Sequence, residues 1–225
     1  MLRGGVLRGG VLRGAVEKRG APSKSAGRRR KAQDAVEKCG APSESVGKRG
    51  DMMECRKATP EDLDRVAEIY DRILTEEEAG RVTIGYQRGI YPIRQTAEDA
   101  LKRDDLFVEM DDDVIVGTGI INQIQVDVYA GAPWAYEAAD NEVMVFHTLV
   151  IDPRYRGQGY GTGFIRFYES YALEHGCHEL RIDTNERNRV ARNLYRKLGF
   201  QEIGIAPCQF NGIDGVRLVL LEKRV

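Results

Sequence analysis

Glycines alternate through Gly157-Gln158-Gly159-Tyr160-Gly161-Thr162-Gly163, between a run that reads as a strand and a run that reads as a helix. Upstream, residues 143–151 (VMVFHTLVI) are rich in β-branched and apolar side chains and stop at Asp152-Pro153, because proline has no N–H to give to a ladder. Downstream, Phe164, Ile165, Tyr168, Tyr171 and Ala172 recur at helical spacing as far as Gly176, which suits a left-handed helix end. Glycine lets backbone approach a ligand closely, and a helix start offers unpaired N–H groups at the positive end of its dipole. Strand, glycine loop and helix in that order can cradle an anion, and a diphosphate fits there. The competing reading is that the glycines serve only a tight turn.

Spacing separates this loop from two common phosphate loops. In register with Gly157 and Gly159, the third glycine of the dinucleotide fingerprint would fall on Thr162, and no Lys-Ser or Lys-Thr follows to make a P-loop. A second pattern lies downstream: Asn188-x-x-Ala191-x-x-Leu194-Tyr195-x-x-Leu198-Gly199-Phe200, on a run with helical period that Gly199 ends.

The body of the chain alternates strands and helices, as one α/β domain requires. Residues 54–58 read as a strand; Thr59-Pro60-Glu61-Asp62 starts a helix, with Leu63, Val66, Tyr70 and Ile73 as its buried stripe. Residues 96–103 read as a second helix, and 106–110 with 114–124 as a hairpin turned by Asp111-Asp112-Asp113. Residues 179–184 form a strand, 188–198 a helix with Val190, Ala191, Leu194, Tyr195 and Leu198 on one face, and 200–205 and 215–221 two closing strands. Two segments lack periodicity: 81–92, with Tyr86 and Tyr91, and 126–141, with the single tryptophan, Trp134. Tyr86, Tyr91 and Trp134 are candidate walls of a substrate groove, with core packing as the alternative for each.

The first fifty residues follow another logic. Residues 15–29 return, little altered, as 35–49, without an aromatic residue, so they cannot offset the entropy of being ordered. Residues 1–50 hold 13 Lys and Arg against 4 Asp and Glu, whereas residues 51–225 hold 21 against 31. We therefore divide the chain into a basic, disordered tail, 1–52, and a folded domain, 53–225. Such an arm can bind nucleic acid or an anionic membrane by counterion release, but charge runs are commonly just solvated, and a nucleic-acid role is disfavoured. The Arg-rich start has some character of a mitochondrial transit peptide, which its repeated glycines spoil. Met52 and Met53 sit where translation of the domain would begin. A native protein with residue 1 intact by mass spectrometry would refute that reading.

The two glycine-bearing patterns together carry a resemblance. Arg156, Gly159 and Gly161 match the R/Q-x-x-G-x-G/A motif of the GCN5-related N-acetyltransferase (GNAT) family, and Asn188 to Phe200 match its other signature. The chain resembles that family over about residues 53–225. The resemblance implies a GNAT acyl-CoA N-acyltransferase fold, α/β in the α+β sense: a mixed, mostly antiparallel sheet of about six to seven strands, splayed at the cofactor cleft, with about four helices. It implies transfer of an acetyl group from acetyl-CoA to an amine by direct attack, with the backbone of Leu149, Val150 and Ile151 on the pantetheine arm and acetyl oxygen. It also places the diphosphate on Arg156, Gly157, Gln158, Gly159, Tyr160, Gly161 and Thr162, and the Asn188 amide beside the arm.

By the same resemblance Tyr195 protonates the departing thiolate, with a packed core tyrosine as the alternative. For the base the candidates are His147 and Glu142. In an unbulged strand His147 shares a side with Leu149 and Ile151 while Glu142 faces away, and a bulge would change this. A satisfied structural histidine is the competing reading of His147.

The acceptor is a small-molecule or protein amine, and the acidic body favours a cationic one by steering. A homodimer is compatible with the sequence. No His, Cys or carboxylate cluster has metal-ligand spacing, so no metal is expected, and no apolar run is long enough for a membrane span. Cys39, Cys55, Cys177 and Cys208 lack paired spacing, a reduced cytoplasmic pattern; Cys208 as an acyl carrier is the minor reading beside a small buried hydrophobe. Two other classes stay open: a regulatory module that binds acyl-CoA without chemistry, and a nucleic-acid-associated protein tethered by the tail.

Overall fold

The computed structural model describes residues 54–225. The repeats, the tail, Cys39 and the Met52-Met53 start lie outside the described residues. The body is a seven-stranded sheet in the order β1-β2-β3-β4-β5-β7-β6. Its strands are β1 (Glu54–Lys57), β2 (Leu106–Asp111), β3 (Val114–Asn122), β4 (Val143–Ile151), β5 (Glu179–Asn185), β6 (Gln201–Phe210) and β7 (Ile213–Arg224). Four helices join them: α1 (Leu63–Glu78), α2 (Arg94–Lys102), α3 (Tyr160–Glu174) and α4 (Arg189–Lys197). Every neighbouring pair is antiparallel except β4 and β5, which are parallel. A parallel pair needs a crossover, and α3 supplies it.

Helices α1 and α2 cover one face. Val66, Ile69 and Tyr70 of α1 are buried with Leu106, Val108 and Val150 of the sheet. α1 begins where Asp62 accepts hydrogen bonds from the Thr59 backbone N–H at 2.7 Å and its hydroxyl at 3.1 Å, with Pro60 in the preceding 3-10 turn. Helix α3 covers the opposite face: Phe164, Ile165 and Tyr168 are buried against Phe107, Met144, Phe146 and Ile182, and Tyr195 of α4 joins the same core.

The closing hairpin is longer than its apolar runs predict. β6 and β7 turn through Asn211 and Gly212, both with positive φ (51° and 80°), the dipeptide a tight two-residue hairpin favours. Val190, expected on the buried face of α4, is 78% exposed.

Two features open the sheet in its middle. β4 pairs with β5 only from Val143 to Phe146, whereas β5 continues along β7 to Asn185, so the outer half of β4 has no ladder partner on its β5 side. β4 also carries one extra residue against β3: Thr118 faces Val150 and Ile120 faces His147, and Thr148 has φ 52°. That bulge inverts the side-chain alternation beyond it. Leu149 and Ile151 therefore pack toward the α3 core with Met144 and Phe146, while Val150 packs with α1. The expectation that His147 shares a side with Leu149 and Ile151 is corrected accordingly, because it assumed a straight strand.

The far end of β4 is tied to α1 by a buried acid. Asp152, fully buried, takes Arg65 at 2.5 Å and Arg72 at 2.9 Å from α1, and Arg154 at 3.0 Å. Burial pushes its carboxyl up, but the hydrogen bonds from Arg154 and Arg65 outweigh it and hold the pKa at about 2.

Candidate active site

A cavity of about 560 Å3 fills the split between β4 and β5. Its lining joins the glycine loop, the outer half of β4, the end of β5, α4, the 81–91 segment and the closing hairpin. A volume of this order suits a small ligand and part of a second one.

At one end lies the loop. Gly157 and Gly159 adopt φ 79° and 98°, a region costly for any residue with a Cβ, and Gly159 is the cap of α3. The N–H of Arg156 reaches Pro153 O at 3.4 Å, and those of Thr162 and Gly163 reach Gly159 O at 2.9 and 3.1 Å. Between them, the N–H groups of residues 157–161 have no acceptor among the described residues. Open space lies where a Cβ of Gly157 or Gly159 would stand. Five consecutive free donors at a helix start form a nest for phosphate oxygens, so the residues present fit a diphosphate. Arg156, Gly157, Gly159, Tyr160, Gly161 and Thr162 line the cavity; Gln158 is exposed and does not.

Along the cavity, Leu149, Val150 and Ile151 present the open edge of β4, an unpaired row of N–H and C=O groups that an extended chain can join. Asn188 caps α4, its side-chain oxygen accepting the Ala191 N–H at 3.2 Å while its amide donates to the Thr184 hydroxyl at 3.1 Å. Tyr195 is 5% exposed and lines the cavity, and its hydroxyl has no partner among the described residues. Burial, with the Asp183 carboxylate nearby, raises its pKa well above the usual tyrosine value, so the phenol keeps its proton.

The candidate bases separate. Glu142 is exposed, accepts the Ala139 N–H at 3.0 Å in a 3-10 turn, and lies outside the cavity lining at the opposite end of β4. His147 reaches the lining, but its Nε2 stands 3.1 Å from Asn122 Oδ1 and 3.0 Å from Ile124 O. Both are acceptors, so Nε2–H is donated to them. Burial lowers the ring's pKa to about 4, which leaves it neutral at pH 7 and a weak proton acceptor.

Asp183, which strand periodicity alone did not single out, is the only carboxylate in the lining among the described residues. It lies on β5 where that strand leaves β4, and accepts a hydrogen bond from the Tyr129 hydroxyl at 2.8 Å. Its other oxygen has no protein partner among the described residues. Burial raises its pKa to about 6, against the Tyr129 hydrogen bond that lowers it. The legible signal was an acid set between Ile182 and Thr184, two β-branched residues of a strand-like run.

Tyr86 and Tyr91 both line the cavity, stacked edge to face with centroids 5.5 Å apart, and the Tyr91 hydroxyl bonds that of Thr148 on the bulge. Trp134 does not reach it. Its ring lies 4.0 Å from the Arg181 guanidinium and its N–H donates to Tyr129 O at 3.0 Å, so it plugs the loop over β5 instead of walling the groove. Phe210, Ile213, Val216 and Leu218 complete the wall, with Phe210 edge to face on Tyr91 at 6.4 Å between centroids, and Asn211-Gly212 between them was the sequence signal for the hairpin. Cys208 lies outside the lining, so an acyl-carrier role has no access. No group of three or more His, Cys, Asp or Glu among the described residues is placed to hold a metal, and no described helix is long and apolar enough to cross a membrane.

A profile described as Acetyltransferase (GNAT) family matches residues 64–200. The chain belongs to that family. Among curated proteins it is similar to the thialysine N-epsilon-acetyltransferase of Bos taurus, 31% identical over 70 residues that make up 31% of this chain and 41% of that one. It is also similar to N-alpha-acetyltransferase 30 of Homo sapiens, 33% identical over 73 residues, 32% of this chain and 20% of that one. The match thus spans about two fifths or less of these relatives' length. Among solved structures, a GNAT-family acetyltransferase from Streptococcus agalactiae superposes with TM-score 0.65 at 24% identity over 77% of this chain and 95% of that one. The Salmonella typhimurium protein yncA, solved with its cofactor acetyl-CoA, gives 0.56 at 15% identity over 77% and 94%. At such identities the likeness is one of fold, and the fold is the splayed, mostly antiparallel sheet described above.

Proposed function

We propose that the protein moves an acetyl group from acetyl-CoA to an amine by direct attack within one ternary complex. The observation that carries this reading is the single cavity in which the loop amides, the free edge of β4, the Tyr195 phenol and the Asp183 carboxylate meet. Membership of the family and the N-acetyltransferase names of the matched relatives support it.

The amides of residues 157–161 hold the diphosphate, with Arg156 beside it. The open edge of Leu149, Val150 and Ile151 pairs with the pantetheine arm, and its N–H groups polarise the acetyl oxygen. Acetyl-CoA, when bound, supplies a thioester whose C–S bond breaks as the new N–C bond forms. Asp183 takes the first proton from the ammonium and passes it to solvent; the second ends on the thiol through the Tyr195 hydroxyl. Asp183 thus takes the role for which His147 and Glu142 were candidates, being the acid that faces the space where the amine must sit. Holding both reactants in one cleft lowers the barrier, by up to about 7–11 kcal/mol at its best.

A binding module without chemistry would have no use for a carboxylate and a phenol aimed into the same space. A tethered nucleic-acid role rests on residues outside the described ones. Cys55, Cys177 and Cys208 are free thiols, which supports a reducing compartment, the cytoplasm. The test is thiol release from acetyl-CoA across a panel of amines: amine-dependent release is expected, and release at the amine-free rate with every amine refutes the reading.

A further inference from the structure

The acceptor half of the cavity has an unusual chemical balance. Its walls are Tyr86, Tyr91, Phe210, Ile213, Val216 and Leu218. Asp183 is the one carboxylate there. Among the described residues, the cationic side chains in the lining are Arg81 and Arg156, with His147 held neutral. Both arginines belong to the opposite end: Arg156 opens the glycine loop, and Arg81 pairs with Glu76 at 2.7 Å, a carboxylate that also feels Arg156. The Tyr91 and Thr148 hydroxyls of the acceptor half bond each other, and one oxygen of Asp183 is taken by the Tyr129 hydroxyl from behind the lining.

Resting on the acetyl-transfer reading, we infer that the acceptor is a compact monoamine with an aromatic or aliphatic body and no carboxylate. A single ammonium is served twice. It meets one charge-bearing partner in Asp183, and the aromatic rings of Tyr86 and Tyr91 line the same space. A carboxylate on the adjacent carbon would enter a space whose nearest acid repels it and whose walls offer no cation. A buried charge without a partner is costly, and so is the unsolvated second ammonium of a diamine. The body of the acceptor gains from apolar contact with Phe210, Ile213, Val216 and Leu218. This class differs from what the matched relatives' names print, the ε-nitrogen of thialysine and an α-nitrogen.

Matched pairs test it. With acetyl-CoA at saturation, kcat/KM is measured for 2-phenylethylamine against phenylalanine, isopentylamine against leucine, and pentylamine against cadaverine, with a tetrapeptide as a further acceptor. We expect each monoamine to exceed its charged partner by at least ~100-fold. Equal or better use of phenylalanine, leucine, cadaverine or the peptide overturns the inference and leaves acetyl transfer standing. Calorimetry on the coenzyme A complex gives an independent reading. If nothing is acetylated but 2-phenylethylamine binds and phenylalanine does not, the pocket assignment holds and the transfer reading fails; if neither binds, both fail. Phe210→Arg, at the partly exposed tip of the wall, supplies the missing cation. It is expected to narrow the phenylethylamine-to-phenylalanine ratio at least ~10-fold, and an unchanged ratio counts against the inference.

Discussion

Replacing Asp183 with Asn should make the protein more stable and nearly inactive at the same time. The carboxyl is lifted from its ordinary 3.8 to about 6, chiefly by burial, and at about 1.4 kcal/mol per pH unit this corresponds to ~3 kcal/mol. For an acid whose folded pKa lies above its unfolded one, ionisation favours unfolding. Below pH ~4 the group is protonated in both states and contributes no difference. Between ~4 and ~6 the unfolded chain loses its proton first and stability falls; above ~6 the full cost is present. Asn is neutral throughout and its oxygen can still accept from Tyr129. Urea unfolding followed by tryptophan fluorescence at pH 4, 5.5 and 8 should show the variant's advantage growing from near zero to between ~1 and ~3 kcal/mol. Wild-type kcat/KM should rise with pH through about 6 and level off. In the variant it should fall by ~100- to 10,000-fold and lose that limb. Of the titratable neighbours, Tyr86, Tyr91, Tyr129, Tyr195 and Cys208 are shifted up by the same carboxylate or by burial, and His147 is lowered by burial to about 4, so none supplies a competing limb at pH 6. A variant that is less stable at pH 8 would show Asp183 to be a structural hydrogen-bond acceptor. One that keeps the pH limb would place the base elsewhere.

Four further outcomes bear on the site and its support. Tyr195→Phe should lower kcat by ~100-fold with acetyl-CoA affinity, read by calorimetry, within about twofold; an unchanged kcat removes the phenol from the mechanism. Gly159→Ala forces a Cβ onto φ 98°, a strain of ~1–2 kcal/mol, and should weaken acetyl-CoA binding by ~10-fold, whereas undiminished affinity would mean the loop does not hold the diphosphate. Asp152→Ala leaves Arg65, Arg72 and Arg154 around an empty site and should cost ~3–5 kcal/mol in urea unfolding. Because the folded pKa is depressed to about 2, the wild type keeps this contribution above pH ~4 and loses it as pH falls toward 2, a limb the variant should lack. A chain starting at Met53 should retain kcat/KM within about twofold if the tail is dispensable; loss of activity would give residues 1–52 a role in the domain.

How far the sequence speaks depends on whether a feature is local. The glycine loop, the helix caps and the α1 stripe are set by residues within a few positions, and their geometry appears where the pattern places it. Thr59, Pro60 and Asp62 start α1, and Gly157 and Gly159 take the positive φ that their lack of a Cβ permits. The acceptor side is not local. Tyr91 and Thr148 meet across 57 positions, and Tyr129 and Asp183 across 54. No period in the sequence encodes those meetings. The expected side of His147 is corrected for a related reason: whether it matches Leu149 and Ile151 depends on whether β4 is straight, and the one extra residue at Thr148 decides it.

The bulge at Thr148 ties these observations together. A β-branched residue at φ 52° is strained by ~1–3 kcal/mol, and such strain persists only where neighbours hold it. Here the Tyr91 hydroxyl holds the Thr148 hydroxyl from the acceptor wall, and opposite the bulge Gly119 leaves room for the Phe146 ring, which any Cβ there would overlap. A straight β4 would carry its pairing with β5 past Phe146, close the split and point Leu149 and Ile151 to the other face. The same residue that costs stability therefore creates the free strand edge on one side and, through Tyr91, fixes the aromatic wall on the other. Cofactor edge and acceptor pocket are two consequences of one local irregularity, so a change that relaxes the bulge should degrade both together.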